Sequence, residues 1–353
     1  MTDWSKAEWV DPARGWQPLP IDDMPERILL DLATRCNLRC PMCVVWGSGD
    51  EAEIDKVRGA MDLEKARRLL DEIMGHRPLV QPNMWGEPLL APEFKARIAD
   101  MKARGLTVAM NTNGLTLNED IARYLVETKM DSVFFSIDSV TKETLKAMRG
   151  VDKLEKIEAA VFRMLKARGS AEVPRIGVSF TETDKNRHEM QAFVDRWVGV
   201  VDCVRVGIVF EDGRFPAMQE PKVRTACPAL YKTMSVHNDG TVSYCCLDGF
   251  KATNVGNVFE TSAREVWHGE ALAKVRYFHE TAQWDQVPFC KGCNGWAQYD
   301  FEEEVRDGIL IRRSPQFAYY NRIDRLSNWH GKLLGGHPAI NLDAAAESAE
   351  AAD

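Results

Sequence analysis

Cys36, Cys40 and Cys43 stand in a C-x3-C-x2-C array just after a short apolar segment. Three thiolates converging from one loop can ligate three irons of a [4Fe–4S] cube and leave the fourth iron open. An open metal position is what a reactive centre needs, whereas a structural zinc site would require a fourth ligand close by. The next histidine is His76, so that ligand is missing locally. Chance spacing of buried cysteines is the other bland alternative. A later set, Cys227, Cys245, Cys290 and Cys293, offers four thiolates, with Cys290-Lys291-Gly292-Cys293 as a tight chelating pair. By count, four thiolates suit a [4Fe–4S] cluster or zinc equally well. Cys246 is spare or an alternative to Cys245, and the hairpin spacing from Gly240 favours Cys245. Cys203, alone on a predicted strand, reads as core.

The rest of the composition narrows the setting. The chain has 353 residues, nine of them cysteine, and a net charge of −8 with no long basic run. A nucleic-acid partner is therefore not expected. No stretch approaches the ~20 apolar residues that span a bilayer, so no membrane association is expected. The polar N-terminus lacks the basic start and apolar core of a secretion signal. A cytoplasmic location follows as the expectation, and in a reducing compartment clustered thiols point to metal or catalysis rather than to disulfides.

The elements that must position these thiols follow from the hydrophobic pattern. Short apolar runs at Ile28–Ala33, Leu79–Trp85, Thr107–Asn111, Ser132–Ile137, Arg175–Phe180 and Cys203–Val209 predict strands. Amphipathic stretches at Asp62–Met74, Pro92–Arg104, Asn118–Thr128, Lys142–Met148 and Lys153–Arg168 predict helices between them. Such alternation implies a parallel sheet, either doubly wound or a partial (β/α) barrel, and periodicity does not choose between these. The expected organisation is an N-terminal extension (1–26), an α/β domain (27–210), a linker (211–226), a Cys-rich domain (227–300), a mixed, partly helical extension (301–341) and a disordered acidic tail (342–353). Asn238-Asp239-Gly240 signals a hairpin and Ser262–Phe278 one helix within the Cys-rich part.

The segment Thr34-Arg35-Cys36-Asn37-Leu38-Arg39-Cys40-Pro41-Met42-Cys43 resembles the signature of the radical S-adenosylmethionine (SAM) superfamily. The resemblance spans about Arg27 to Val209 and implies a partial (β/α)6 TIM-type barrel. It implies that the open iron chelates the amino and carboxylate groups of SAM, which an electron then cleaves to methionine and a 5′-deoxyadenosyl radical. Met42 takes a position that is usually aromatic and lies near adenine. Gly86-Glu87-Pro88 resembles the family's Gly-Glu motif, which holds the SAM ammonium. Thr112 and Asn113 at the third strand's end, and Ser136 and Asp138 at the fourth's, match positions that contact the carboxylate or ribose. Arg149 is a carboxylate partner by its guanidinium geometry. Taken alone, Asn113-Gly114 reads as a turn and Glu87 as a surface acid.

The late segment resembles the auxiliary-cluster domains called SPASM and Twitch. The matching elements are Cys227-Pro228, Gly240-x4-Cys245, Gly256-Asn257-Val258, Glu265-Val266-Trp267 and Cys290-x2-Cys293. No cysteine follows Cys293, which resembles the shorter, Twitch-like form with one auxiliary [4Fe–4S] cluster closed by four cysteines. The implied function is hydrogen abstraction followed by two-electron oxidation of a small polar molecule such as an aminocyclitol or sugar. A flavodoxin or ferredoxin would be the electron donor. Modification of a ribosomally made peptide is the alternative, although only 26 residues precede the first strand and a recognition domain is ~80–100. A non-catalytic iron–sulfur or zinc protein is the third. Glu182, Arg205 and Glu211 are candidate substrate contacts, and no catalytic base is identified.

Overall fold

The computed structural model describes residues 18–219, 223–299 and 301–328. The expected acidic tail and most of the N-terminal extension lie outside these residues. In chain order the first part comprises β1 (Arg27–Leu30), β2 (Ala33–Thr34), α1 (Glu51–Val57), β3 (Gly59–Ala60), α2 (Leu63–Ile73), β4 (Leu79–Gln81), α3 (Phe94–Ala103), β5 (Thr107–Thr112) and α4 (Glu119–Glu127). There follow β6 (Ser132–Ser136), α5 (Lys142–Arg149), α6 (Leu154–Arg168), β7 (Arg175–Glu182), α7 (Met190–Trp197) and β8 (Cys203–Ile208). The later part holds α8 (Ala229–Lys232), β9 (Thr233–Val236), β10 (Thr241–Ser243), β11 (Asn254–Asn257), α9 (Ala263–Trp267), α10 (Glu270–Glu280), β12 (Glu302–Arg306), β13 (Ile309–Arg313) and β14 (Phe317–Arg322).

Local sequence explains the helices. Asp62 caps α2 by accepting from the Lys65 amide, and Ala66, Leu69, Leu70 and Ile73 form its buried face. Asn118 caps α4 through the Ile121 amide, and Thr141 caps α5 through that of Thr144. Gly150 ends α5 at φ 74°, the left-handed turn that glycine tolerates.

All six expected strands form, and β1, β4, β5, β6, β7 and β8 lie side by side in that order, each parallel to the next. A doubly wound sheet would reverse direction at a switch point. Uninterrupted succession is the winding of a (β/α) barrel, which settles the alternative that periodicity left open. Both sheet faces are covered, so strand interiors such as Val133, Phe135, Ile176 and Val178 are buried. Gly177 interrupts this apolar run because a Cβ there would stand 2.3 Å from the Phe134 ring.

The later part departs from expectation. The predicted hairpin forms, but β9 pairs in parallel with β1, so the Cys-rich region extends the same sheet. The segment expected to be mixed and partly helical holds a meander, β12–β13–β14, whose last strand pairs antiparallel with β8, and then a 3-10 helix at Ile323–Asn328. Among the described residues, twelve strands thus share one sheet. The helix expected over Ser262–Phe278 breaks at Gly269 into α9 and α10. The expected linker is pinned: Phe215 and Met218 are buried with Trp296, and the Phe215 backbone is bonded to the Asn294 side chain in both directions.

The outer strand β12 carries Glu302, Glu303 and Glu304, a charged edge that blunts further pairing. A chain cut after residue 300 loses that edge and leaves β8, with buried Val204 and Val206, as the open one. Size-exclusion chromatography is expected to show aggregation of the truncated protein. A stable monomer would show that the meander is dispensable.

Candidate active site

The cysteine loop leaves the C-terminal end of β1 and borders a cleft of about 350 Å³ whose walls include Cys36, Cys40 and Cys43. Each sulfur already meets a hydrogen-bond donor. The Leu38 amide points at Cys36 Sγ (3.4 Å), the Trp46 amide at Cys43 Sγ (3.4 Å), and Arg149 Nη1 lies 3.8 Å from Cys40 Sγ. Donors aimed at sulfur favour thiolate over thiol. Burial works the other way, pushing the Cys36 thiol up to about 12 and raising that of Cys43. A bound iron cluster would hold these sulfurs as thiolates, because a coordinating metal deprotonates its thiol ligands.

The loop is clamped by the segment that follows β4. Gly86 lies so close to the loop that a Cβ would fall 1.7 Å from the Ala33 carbonyl oxygen. The Glu87 amide donates to the Arg35 carbonyl at 2.7 Å, and Trp46 Nε1 donates to the Trp85 carbonyl at 2.6 Å. The Glu87 carboxylate is buried and accepts from Thr112 Oγ1 (2.6 Å), the Asn113 amide (2.7 Å) and the Leu89 amide (3.2 Å). Burial raises its pKa while those donors and Arg149 oppose the rise. Asn113 in turn donates from Nδ2 to Asn37 Oδ1 at 2.8 Å, tying the end of β5 to the cysteine loop. Gly114 does take a turn conformation, at φ 76°.

The structure gathers most of the expected SAM contacts. Met42, Gly86, Glu87, Thr112, Asn113, Ser136 and Arg149 all line the cleft. Two do not. Pro88 is buried at the start of a 3-10 turn, where its fixed φ and missing amide suit the first position. Asp138 is fully buried at φ 69° and pairs with Arg149, while accepting from the Thr181 amide at 2.7 Å. Asp138 is thus placed behind Arg149, whose guanidinium lines the cleft. Sequence reasoning also passed over Asn111, Ser179 and Thr181, which complete the polar floor. Their signal was position alone: each lies in the C-terminal half of a parallel strand, toward the end where such folds place chemistry. Of the substrate candidates, Arg205 lines the cleft, Glu182 pairs with Arg187, and Glu211 borders a neighbouring groove.

The second thiol set closes around a small cavity lined by Cys227, Cys245, Cys246, Cys290 and Cys293. Burial pushes the Cys227 thiol up to about 12. A hydrogen bond between Cys245 and Cys246 lowers the Cys246 thiol and drives that of Cys245 up. The Gly295 amide points at Cys293 Sγ (3.3 Å), and Arg224 stacks 4.4 Å over Trp284 beside the thiols. Leu247 lines both this cavity and the main cleft. Soft thiolates with peptide donors fit iron–sulfur clusters at both sites, and the cleft beside the first offers the polar groups a sulfonium amino acid needs.

Three substitutions test this arrangement. Glu87→Gln places an amide group against the Thr112 and Asn113 donors, and about 1–3 kcal/mol of stability should be lost in urea unfolding. An unchanged midpoint would show that the clamp is idle. Cys245→Ala should remove about four irons per chain from anaerobically reconstituted protein, and Cys246→Ala should not. The reverse outcome would reassign the ligand.

Comparison with known proteins agrees with this geometry. Residues 31–194 match the model of the radical SAM superfamily, and residues 227–294 match that of an iron–sulfur cluster-binding domain, SPASM. Over 113 residues, 31% of this chain and 30% of the relative, the sequence is 32% identical to a tungsten-containing aldehyde ferredoxin oxidoreductase cofactor-modifying protein of Pyrococcus furiosus. Over 171 residues, 48% of this chain and 41% of the relative, it is 26% identical to the mycofactocin maturase MftC of Mycobacterium tuberculosis. The matches thus span less than half the length of these curated relatives. The fold is similar to that of BtrN in complex with AdoMet and 2-DOIA (TM-score 0.54, 17% identity, 78% of this chain and 94% of that one). It is similar also to Streptococcus suis SuiB bound to precursor peptide SuiA (TM-score 0.56, 14% identity, 72% of this chain and 66% of that one). Family models over residues 31–194 and 227–294, which carry the cleft's cysteine loop and the thiol-lined cavity, place the chain in the radical SAM superfamily, as an enzyme with a SAM-binding [4Fe–4S] cluster and a SPASM-type auxiliary iron–sulfur domain.

Proposed function

We propose that the protein carries out a two-electron oxidation of a small polar molecule, such as the alcohol of an aminocyclitol or sugar. The observation that carries this reading is the shared wall at Leu247, which puts the cleft next to both thiol sets. When bound, SAM and the three-cysteine cluster would supply a 5′-deoxyadenosyl radical to take a carbon-bound hydrogen, a base would take the hydroxyl proton, and the auxiliary cluster would accept the second electron. The chain's own residues bind and orient. Ser179 and Thr181 offer hydroxyls on the cleft floor, suited to a polyhydroxylated molecule. Trp46, Trp85 and Phe210 wall the cleft with apolar surface that limits water around a reactive species. Arg149, held by Asp138, keeps a positive charge beside Cys40.

Peptide modification stays the second reading, on one observation. A groove of about 640 Å³ continues from the cleft through Val44, Phe210 and Leu247 toward α1 and the loop carrying Phe289. Curated relatives include the mycofactocin maturase and a PqqA peptide cyclase.

Anaerobically reconstituted, reduced protein should convert SAM to methionine and 5′-deoxyadenosine. A deuterated aminocyclitol should accelerate this and pass its deuterium into 5′-deoxyadenosine. No cleavage at all would overturn the radical reading. Acceleration by a peptide and not by the small molecule would select the second.

A further inference from the structure

We propose that Arg205 binds an anionic group of the substrate, a carboxylate or a phosphate. This rests on the proposed oxidation in the cleft and specifies its substrate class: a small alcohol that also carries an acid. Arg205 sits on β8, directly beside Ser179 on β7, which is itself beside Ser136 on β6. All three line the cleft. The guanidinium lies 5.1 Å from the Phe134 ring centroid, so a ring face supports its plane.

Its hydrogen bonding is thin for a half-buried guanidinium. Nη2 donates to Asn111 Oδ1 at 3.3 Å, a neutral partner. Among the described residues Arg205 forms no ion pair. Other sheltered arginines do: Arg149 with Asp138, Arg168 with Asp202, Arg104 with Asp71. Asp138 attracts Arg205 as well, but is committed to Arg149. Taking a cation partly out of water without a counter-charge is costly, so such a group commonly awaits one. The guanidinium fork matches carboxylate and phosphate oxygens in pairs, and Ser179 adds a hydroxyl donor directly beside it.

The carboxylate of SAM is the obvious competitor for this charge. The two arginines lie on different sides of the topology. Arg149 stands against Cys40, where the amino-acid end of SAM must reach the open iron, whereas Arg205 belongs to the last of the six barrel strands and the cysteine loop follows the first. The geometry therefore assigns Arg149 to the cofactor side and Arg205 to the substrate side.

The test uses the paramagnetism of the reduced cluster on the full-length reconstituted protein. Inorganic phosphate (31P) and carboxyl-13C acetate are added separately, with S-adenosylhomocysteine filling the cofactor place. Relaxation of at least one probe should be accelerated, and which one identifies the acid. Arg205→Gln should reduce the acceleration several-fold. Arg205→Lys, which keeps the charge over Phe134 but loses the fork, should reduce it less. Equal acceleration in wild type and both variants would overturn the proposal. So would its abolition by S-adenosylhomocysteine in the wild type, which would place the anion in the cofactor's own subsite. Failure of SAM cleavage would defeat the oxidation reading separately, whatever the anion does.

Discussion

The close approach of two backbone segments governs this site. The Ala33 carbonyl occupies the space where any side chain at position 86 would start, and the neighbouring Glu87 amide bonds to the Arg35 carbonyl. A methyl group at Gly86 would have to displace main chain, which a packed interior resists. With that approach in place, the cysteine loop cannot drift from the end of β4. Glu87 then carries the constraint across to β5 through Thr112 and Asn113, and Asn113 returns it to the loop at Asn37. Three strand ends are locked in a closed circuit of hydrogen bonds, with the thiols on its inner side.

A second circuit holds charge. Burying Asp138 and Arg149 removes both from water, a penalty that pairing offsets only with good additional hydrogen bonds. The Thr181 amide satisfies one Asp138 oxygen, and Asn186 holds the Asp138 carbonyl at 3.0 Å. The left-handed backbone at Asp138, a conformation Asp accepts better than most residues, turns its carboxylate inward to meet the helix end that carries Arg149. The result is a fixed positive charge at Cys40 rather than a mobile surface arginine. The auxiliary region is tied in the same way. Asn238, in the hairpin turn, is buried and donates to Thr34 Oγ1 and, at 2.7 Å, to the Val57 carbonyl. Trp85 Nε1 donates to the Asp248 carbonyl at 3.1 Å, across the wall between the thiol sets.

Much of this was legible in the sequence, for physical reasons. Buried parallel strands need unbroken apolar runs, so six of them stood out, and the residues ending them could be named. The thiol spacing carried both candidate cluster sites, and the family models found the same two regions. What escaped was long-range. A meander with Glu302, Glu303 and Glu304 on its outer strand has no core-facing alternation there, and its pairing with β8 is written in register, not composition. The charged stretch after Val209 hid two anchors, Phe215 and Met218. The pairing of Asp138 with Arg149, and the positive φ at Asp138, leave no trace in the pattern.

The account turns on a cluster at Cys36, Cys40 and Cys43 whose open iron takes the amino and carboxylate groups of SAM inside the cleft. Electron–nuclear double resonance of the reduced protein, with SAM labelled by 15N in the amino group and 17O in the carboxylate, reads that contact directly. The account predicts hyperfine coupling to both nuclei, and its loss in Cys36→Ala. Labelled SAM that binds to the reduced protein without coupling to either nucleus would contradict it.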